Sequence, residues 1–100
     1  NFIFGVLRKK YESATSKINF WRTKDGAEVD FVVSTGNNLT PYEIKYSTSE
    51  NLKVQKSLRS FINTYKPQKA YVVNLITDEK LRIDGTELRI VPFNLLIDAD

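Results

Sequence analysis

Cysteine, histidine and methionine are all missing from this chain. Without cysteine there is no disulfide, no thiolate zinc site and no cysteine nucleophile. Without histidine, imidazole general-base chemistry and His-ligated metals are excluded as well. Any bound metal must then be a hard cation on carboxylates, with Mg²⁺ or Mn²⁺ the natural choice. No apolar run approaches the roughly 20 residues that a membrane-spanning helix needs, and no signal peptide precedes the fold, so the expected location is cytoplasmic with no membrane partner. A glycine-rich phosphate loop, a serine-based triad and a helical metal box are absent, and the chain therefore does not bind ATP through a Walker motif of its own. It also lacks internal repeats, low-complexity tracts and linker-like segments.

What remains is the composition of one ordinary globular domain. The chain has 100 residues, 41% hydrophobic and 27% charged, enough for one modest core and too few for two. A net charge of +3 and a pI near 9.2 permit contact with nucleic acid without demanding it. The start at Asn1 and the lack of methionine read as a single domain, residues 1–100, excised from a longer protein.

Hydrophobic spacing orders the elements. Residues 1–13 carry Ile3, Leu7 and Tyr11 at helical intervals, with Phe4 beside them and a basic Arg8-Lys9-Lys10 end that suits the helix dipole. Residues 17–23, KINFWRT, read as a strand, and Lys24-Asp25-Gly26 as a turn. Two alternating strands follow, 27–34 and 39–46. In the first, Val29, Phe31 and Val33 are expected on one face and Glu28 and Asp30 on the other. In the second, Tyr42, Ile44 and Tyr46 share a face opposite Glu43 and Lys45. A capping box at residues 47–50 opens a helix that presents Val54, Leu58, Phe61, Ile62 and Tyr65 and stops at Lys66-Pro67. Residues 70–76 are almost continuously apolar, which marks a central strand covered on both faces. The segment LRIDGTELRIVP reads as a hairpin turning at Asp84-Gly85, with Arg82 opposite Glu87. The expected fold is therefore α/β: the order α-β-β-β-α-β with a C-terminal β-hairpin, a mixed sheet flanked by helices, and strands 39–46 and 70–76 parallel.

The charges on the middle strands carry the functional question. With Gly36-Asn37 as a two-residue loop, paired positions place Asp30 opposite Glu43 and Glu28 opposite Lys45, all four on one side of the sheet. Like charges set directly opposite each other repel unless something sits between them, and a divalent cation is the natural occupant. Lys45, one pleat along from Glu43, would position a water or stabilise charge on a phosphoryl oxygen, as phosphodiester hydrolysis requires. The plainer alternative is a solvated sheet face, with Glu28 and Lys45 as a surface ion pair worth little.

The pattern Asp30…Glu43-Ile44-Lys45 on two adjacent strands, with a helix before and a helix and strand after, resembles the PD-(D/E)xK nuclease superfamily. Through NFWRTKDGAEVDFVV, PYEIKYS, KSLRSFINTYKP, AYVVN and IVPFNLL the chain is similar to the nuclease-like C-terminal domain, of unknown function, that follows the P-loop module in many prokaryotic AAA-type ATPases. The resemblance spans nearly the whole chain. It implies a restriction-endonuclease-like core, DNA as partner, and an upstream ATPase domain in the same chain. It further implies Mg²⁺ (or Mn²⁺) held by Asp30 and Glu43, with Lys45 as the catalytic lysine. Glu28 matches an acidic residue usual just before the aspartate, and Gln55 is a supporting residue on the following helix. Two departures stand out: the first helix has no acid before Glu12, and Arg59 occupies the place of a tyrosine that some relatives carry after the glutamine. They keep open a second reading, a nuclease fold without activity that serves as a DNA- or protein-interaction module.

Other residues bear on nucleic acid. Trp21 is placed to stack a base and Arg22 to meet a phosphate, or else Trp21 caps the core and Arg22 is solvated. Lys53 and Lys56, with Ser60 and Asn63, form a polar stripe that would track a DNA backbone or simply face water. Self-association is a further possible partnership.

Overall fold

The computed structural model describes residues 2–12, 16–22, 28–46 and 56–99, with only the backbone described at residues 16, 20–22 and 28. Helix α1 (Phe2–Lys10) is followed by strands β1 (Ser16–Arg22), β2 (Glu28–Thr35) and β3 (Asn38–Ile44). Helix α2 (Lys56–Tyr65), strands β4 (Lys69–Asn74), β5 (Glu79–Ile83) and β6 (Thr86–Pro92) and a 3₁₀ helix (Phe93–Asp98) complete the chain. Of the expected features, the turn at residues 24–26, the capping box and Val54 lie outside the described residues.

The six strands form one open mixed sheet in the order β1-β2-β3-β4-β6-β5. β1–β2 and β2–β3 are antiparallel, β3–β4 and β4–β6 are parallel, and β5 returns antiparallel along the edge. The expected parallel pairing across α2 is found, and so is the hairpin register, with Arg82 opposite Glu87. Asp84 and Gly85 both take positive φ, 48° and 87°, as the two central residues of a type I′ turn must. The β2–β3 turn is also two residues long, with Gly36 at φ 61° and Thr35 facing Asn38. Glycine accepts this backbone without the clash a Cβ would bring.

Each face of the sheet has its own core. α1 lays Ile3 and Leu7, one helical turn apart, on Phe31, Val33, Tyr42, Tyr71 and Val73. The 3₁₀ helix closes this side with Leu96. Lys10 ties the two helices together: its ammonium donates to the carbonyls of Leu96 (3.4 Å), Ile97 (3.5 Å) and Ala99 at the C-terminal end of the 3₁₀ helix. On the other face α2 packs Leu58, Phe61 and Ile62 against Val32, Val72, Leu88 and Ile90. Tyr65, expected on that apolar stripe, is 45% exposed. β4 lies under both layers, and Ala70 through Asn74 are all buried, as its unbroken apolar run predicts.

One expectation is corrected. Val29 packs in the α2-side core with Val32, not with Phe31 and Val33. The reason is a β-bulge. Asn19 opposes Val32 and Trp21 opposes Val29, so that Phe20 alone faces two residues of β2, Asp30 and Phe31. The extra residue breaks the two-residue alternation at that point and transfers Val29 to the other side.

Candidate functional site

The bulge falls on Asp30 and redirects it. β3 presents the N–H groups of alternate residues to its two neighbours; that of Lys45 donates to the Val73 carbonyl of β4 at 2.8 Å, so the N–H of Ile44 points to β2. The β2–β3 ladder runs from Phe31↔Tyr42 to Thr35↔Asn38. Beyond it, the carboxylate of Asp30 takes the place of a backbone carbonyl and accepts the Ile44 N–H through Oδ2 at 2.7 Å. Asp30 is thus aimed across the strand gap at the peptide that joins Glu43 to Ile44, rather than standing opposite Glu43 as a simple ladder partner.

Glu43 sits on the α2 side of β3, beside Val72 of β4, and is only 6% exposed. The plainer expectation of a solvated acidic face does not describe this residue. Among the described residues, its Oε2 is a buried side-chain oxygen that accepts no hydrogen bond, although the residue makes other interactions. A carboxylate withdrawn from water is costly unless its other oxygen and its surroundings compensate, which makes Glu43 a position of chemical interest. Lys45 lies one residue past the end of β3, half-buried, two residues on from Glu43 and so again one pleat along.

The bulge thus brings the Asp30 carboxylate to the N–H of Ile44, the residue between Glu43 and Lys45 at the C-terminal end of β3. The donor set is two carboxylates; among the described residues no group of three or more potential metal ligands assembles. Two carboxylates suit Mg²⁺, which binds through one or two protein carboxylates and fills its remaining positions with water and substrate phosphate.

The family model described as a domain of unknown function (DUF4143) matches residues 1–96. The chain belongs to this family. No curated protein matches the sequence.

The remaining positions of this DUF4143 domain divide by location. Glu28 opens β2 and pairs in register with Arg22 of β1, and Trp21 pairs with Val29; their backbones stand on the outer strand pair. Lys56 begins α2 and is exposed, in line with Ser60 and Asn63 on the outer surface of that helix. Lys53 and Gln55 lie outside the described residues. Among the described residues no helix is long and apolar enough to cross a membrane.

Two features escaped the alternation pattern. The bulge at Asp30 has no signal in the spacing of β2, since it arises from pairing with β1. A cluster of apolar side chains at the end of β3, including Phe2, Tyr46 and Phe93, was also missed: Tyr46 keeps step with Tyr42 and Ile44 along the strand but is 77% exposed. The one available clue is that these aromatic residues fall at the ends of elements rather than within their buried stripes.

Proposed function

We propose that this domain is a Mg²⁺- or Mn²⁺-dependent nuclease domain with a PD-(D/E)xK, restriction-endonuclease-like arrangement, which binds DNA and hydrolyses phosphodiesters beside an AAA-type ATPase module of the same chain. The observation that carries the reading is the Asp30 carboxylate held on the Ile44 N–H, the peptide that follows the buried Glu43. Asp30 and Glu43 would hold the cation. When bound, it supplies a water of lowered pKa and neutralises charge on the phosphoryl oxygens. The Ile44 N–H fixes the orientation of Asp30, and the packing around β3 and β4 fixes Glu43. Lys45 provides a cation for the charge that develops on the phosphate in the transition state. Water oxygen forms the new P–O bond, the ester P–O bond breaks, and the departing oxygen gains a proton, leaving a phosphomonoester and a hydroxyl end. Glu28 and Gln55 are the supporting residues of this reading, and Trp21, Arg22, Lys53 and Lys56 its contacts to DNA.

A second reading has its own observation. No acid stands in the first turn of α1, and the described acids near β3 number two. A nuclease fold that holds DNA or protein without cutting fits that shorter donor set.

Titration calorimetry with Mg²⁺ and Mn²⁺, on the protein and on Asp30→Asn, separates the two. Metal binding that the variant loses, together with metal-dependent cleavage of linear, nicked or branched DNA, is the expected result. Absence of binding at millimolar metal would overturn the nuclease reading in favour of the interaction module.

A further inference from the structure

Strand β5 ends the sheet, and among the described residues no strand pairs with its outer side. The turn at Asp84-Gly85 decides what that edge offers. A two-residue turn closes on a pair that exchanges both main-chain hydrogen bonds, here Ile83 and Thr86, and such pairs alternate along an antiparallel ladder. Ile83, Leu81 and Glu79 therefore direct their N–H and C=O groups to β6. Lys80 and Arg82 direct theirs outward, giving two donors and two acceptors along the open edge.

The side chains of this edge divide by face. Leu81 stands in register with Leu88, and Ile83 packs against the α2-side core, so both lie on that side. Leu81 is 38% exposed. Lys80 and Arg82 alternate with them onto the opposite face, and both are exposed. The register sets Lys80 against Arg89, a like charge, and Arg89 has Asp78 as its ion pair. Arg82 faces Glu87 and donates to the Gly85 carbonyl at 3.0 Å, which leaves its guanidinium further donors. The complement of this edge is a strand that brings an acid opposite each cation and an apolar residue between the two acids.

We infer that β5 is a docking edge for an extended acidic segment of a partner protein, which adds to the sheet as a further strand antiparallel to β5. Its acids lie opposite Lys80 and Arg82, and the apolar residue between them covers Leu81. In strand addition of this kind the main-chain hydrogen bonds supply affinity and the alternate side chains supply specificity. The assignment is independent of metal binding and of cleavage.

Two other occupants fit less well. A second copy of the chain, paired antiparallel about a twofold axis, would set Lys80 against Arg82 of the other copy, or either residue against itself. Every such register opposes like charges. Nucleic acid would meet the two cations, but phosphate oxygens only accept hydrogen bonds and would leave the outward carbonyls of Lys80 and Arg82 without a donor. Lysine on an edge strand guards against self-aggregation. The same charge that rejects a copy of this chain selects an acid.

The probe is a capped nine-residue peptide in which glutamate alternates with valine, titrated into the protein and followed by NMR. Shifts should concentrate along β5, and the amides of Lys80 and Arg82 should become protected from exchange. Lys80→Glu exchanges a favourable cross-strand pair for a repulsive one and is expected to weaken binding about tenfold. It falls on an exposed side chain opposite Arg89, and thermal unfolding checks that the variant is folded. Two modified peptides leave the protein untouched. Methylating the glutamate nitrogens removes the donors that face Lys80 and Arg82 and should abolish binding, whereas methylating the valine nitrogens should preserve it. A peptide alternating lysine with valine should not bind. No binding of the acidic peptide at millimolar concentration would overturn the proposal, and so would two methylated peptides that bind alike. A single-stranded oligonucleotide that shifts the same amides and displaces the peptide at lower concentration would overturn it in favour of nucleic acid.

Discussion

The Oδ2 of Asp30 lies 2.7 Å from the backbone nitrogen of Ile44, and this bond ties the bulge in β2 to the end of β3. It makes Asp30 both a structural acceptor and a candidate metal ligand, two roles that substitution can separate. Asparagine keeps an acceptor oxygen for the Ile44 N–H but lacks the charge. Alanine leaves the N–H without its acceptor. Asp30→Asn is expected to fold with nearly parental stability and to lose metal binding. Asp30→Ala is expected to lose metal binding and a further ~1–3 kcal/mol of stability, measured by urea unfolding. Equal stability of the two variants would show that the bond contributes nothing.

Lys45 is expected to act on the reaction more than on the site. Lys45→Met removes the cation while retaining an unbranched side chain in a half-buried position. Single-turnover cleavage should fall by about 10²–10³-fold, the scale found when one group that stabilises developing charge is removed. Mn²⁺ binding by calorimetry should persist. A variant that cuts at the parental rate would exclude Lys45 from the chemistry.

Lys10 joins α1 to the 3₁₀ helix by donating to three carbonyls at the C-terminal end of that helix. Charge-assisted hydrogen bonds of this kind offset the dipole of the helix end. Lys10→Met should cost about 1–2 kcal/mol, and amide exchange should accelerate chiefly across Phe93–Ala99. Exchange that stays as slow as in the parent would show the 3₁₀ helix to be held by Leu96 packing alone.

Alkaline pH should destabilise the protein through its tyrosines. Tyr42 is fully buried, stacks on Tyr71 at 4.6 Å with rings nearly parallel, and shares a 2.6 Å hydrogen bond with the Tyr11 hydroxyl. Burial pushes the Tyr42 phenol well up, reinforced by Tyr11; burial also raises Tyr11, partly offset by that same hydrogen bond. A raised pKa in the folded state means that folding favours the protonated phenol. The stabilisation is fully present below the ordinary tyrosine value of 10.0 and is lost as pH rises beyond it. Stability should thus be insensitive to these groups from pH 7 to 9 and fall above pH 10. Tyr42→Phe should flatten that fall, at a cost of about 1 kcal/mol at neutral pH for the lost hydrogen bond. An unaltered alkaline slope in the variant would sink this account.

The local code of the sequence determined a good deal. Asp84, Gly85 and Gly36 take the positive φ of tight turns, and the two-residue loops Asp84-Gly85 and Gly36-Asn37 set the registers of both hairpins, Arg82 opposite Glu87 included. The unbroken apolar run of β4 foretold burial on both faces, and the crossover through α2 foretold the parallel pairing with β3. Asp30, Glu43 and Lys45 could be picked out because their charges interrupt strands that otherwise alternate.

The tertiary structure decided how those residues are used. Alternation assumes a regular strand, and the bulge comes from the fit of β2 against β1; no spacing within residues 28–35 encodes that Phe20 faces two residues. That single extra residue moved Val29 to the α2 side and aimed Asp30 at the Ile44 N–H. The burial of Glu43 likewise depends on what packs over β3, a property of distant segments and not of its neighbours in sequence. A cleft at the ends of β3 and β4 brings Phe2, Tyr46 and Phe93 together from chain positions up to 91 residues apart, and only the folded sheet with its covering helices sets them around one space.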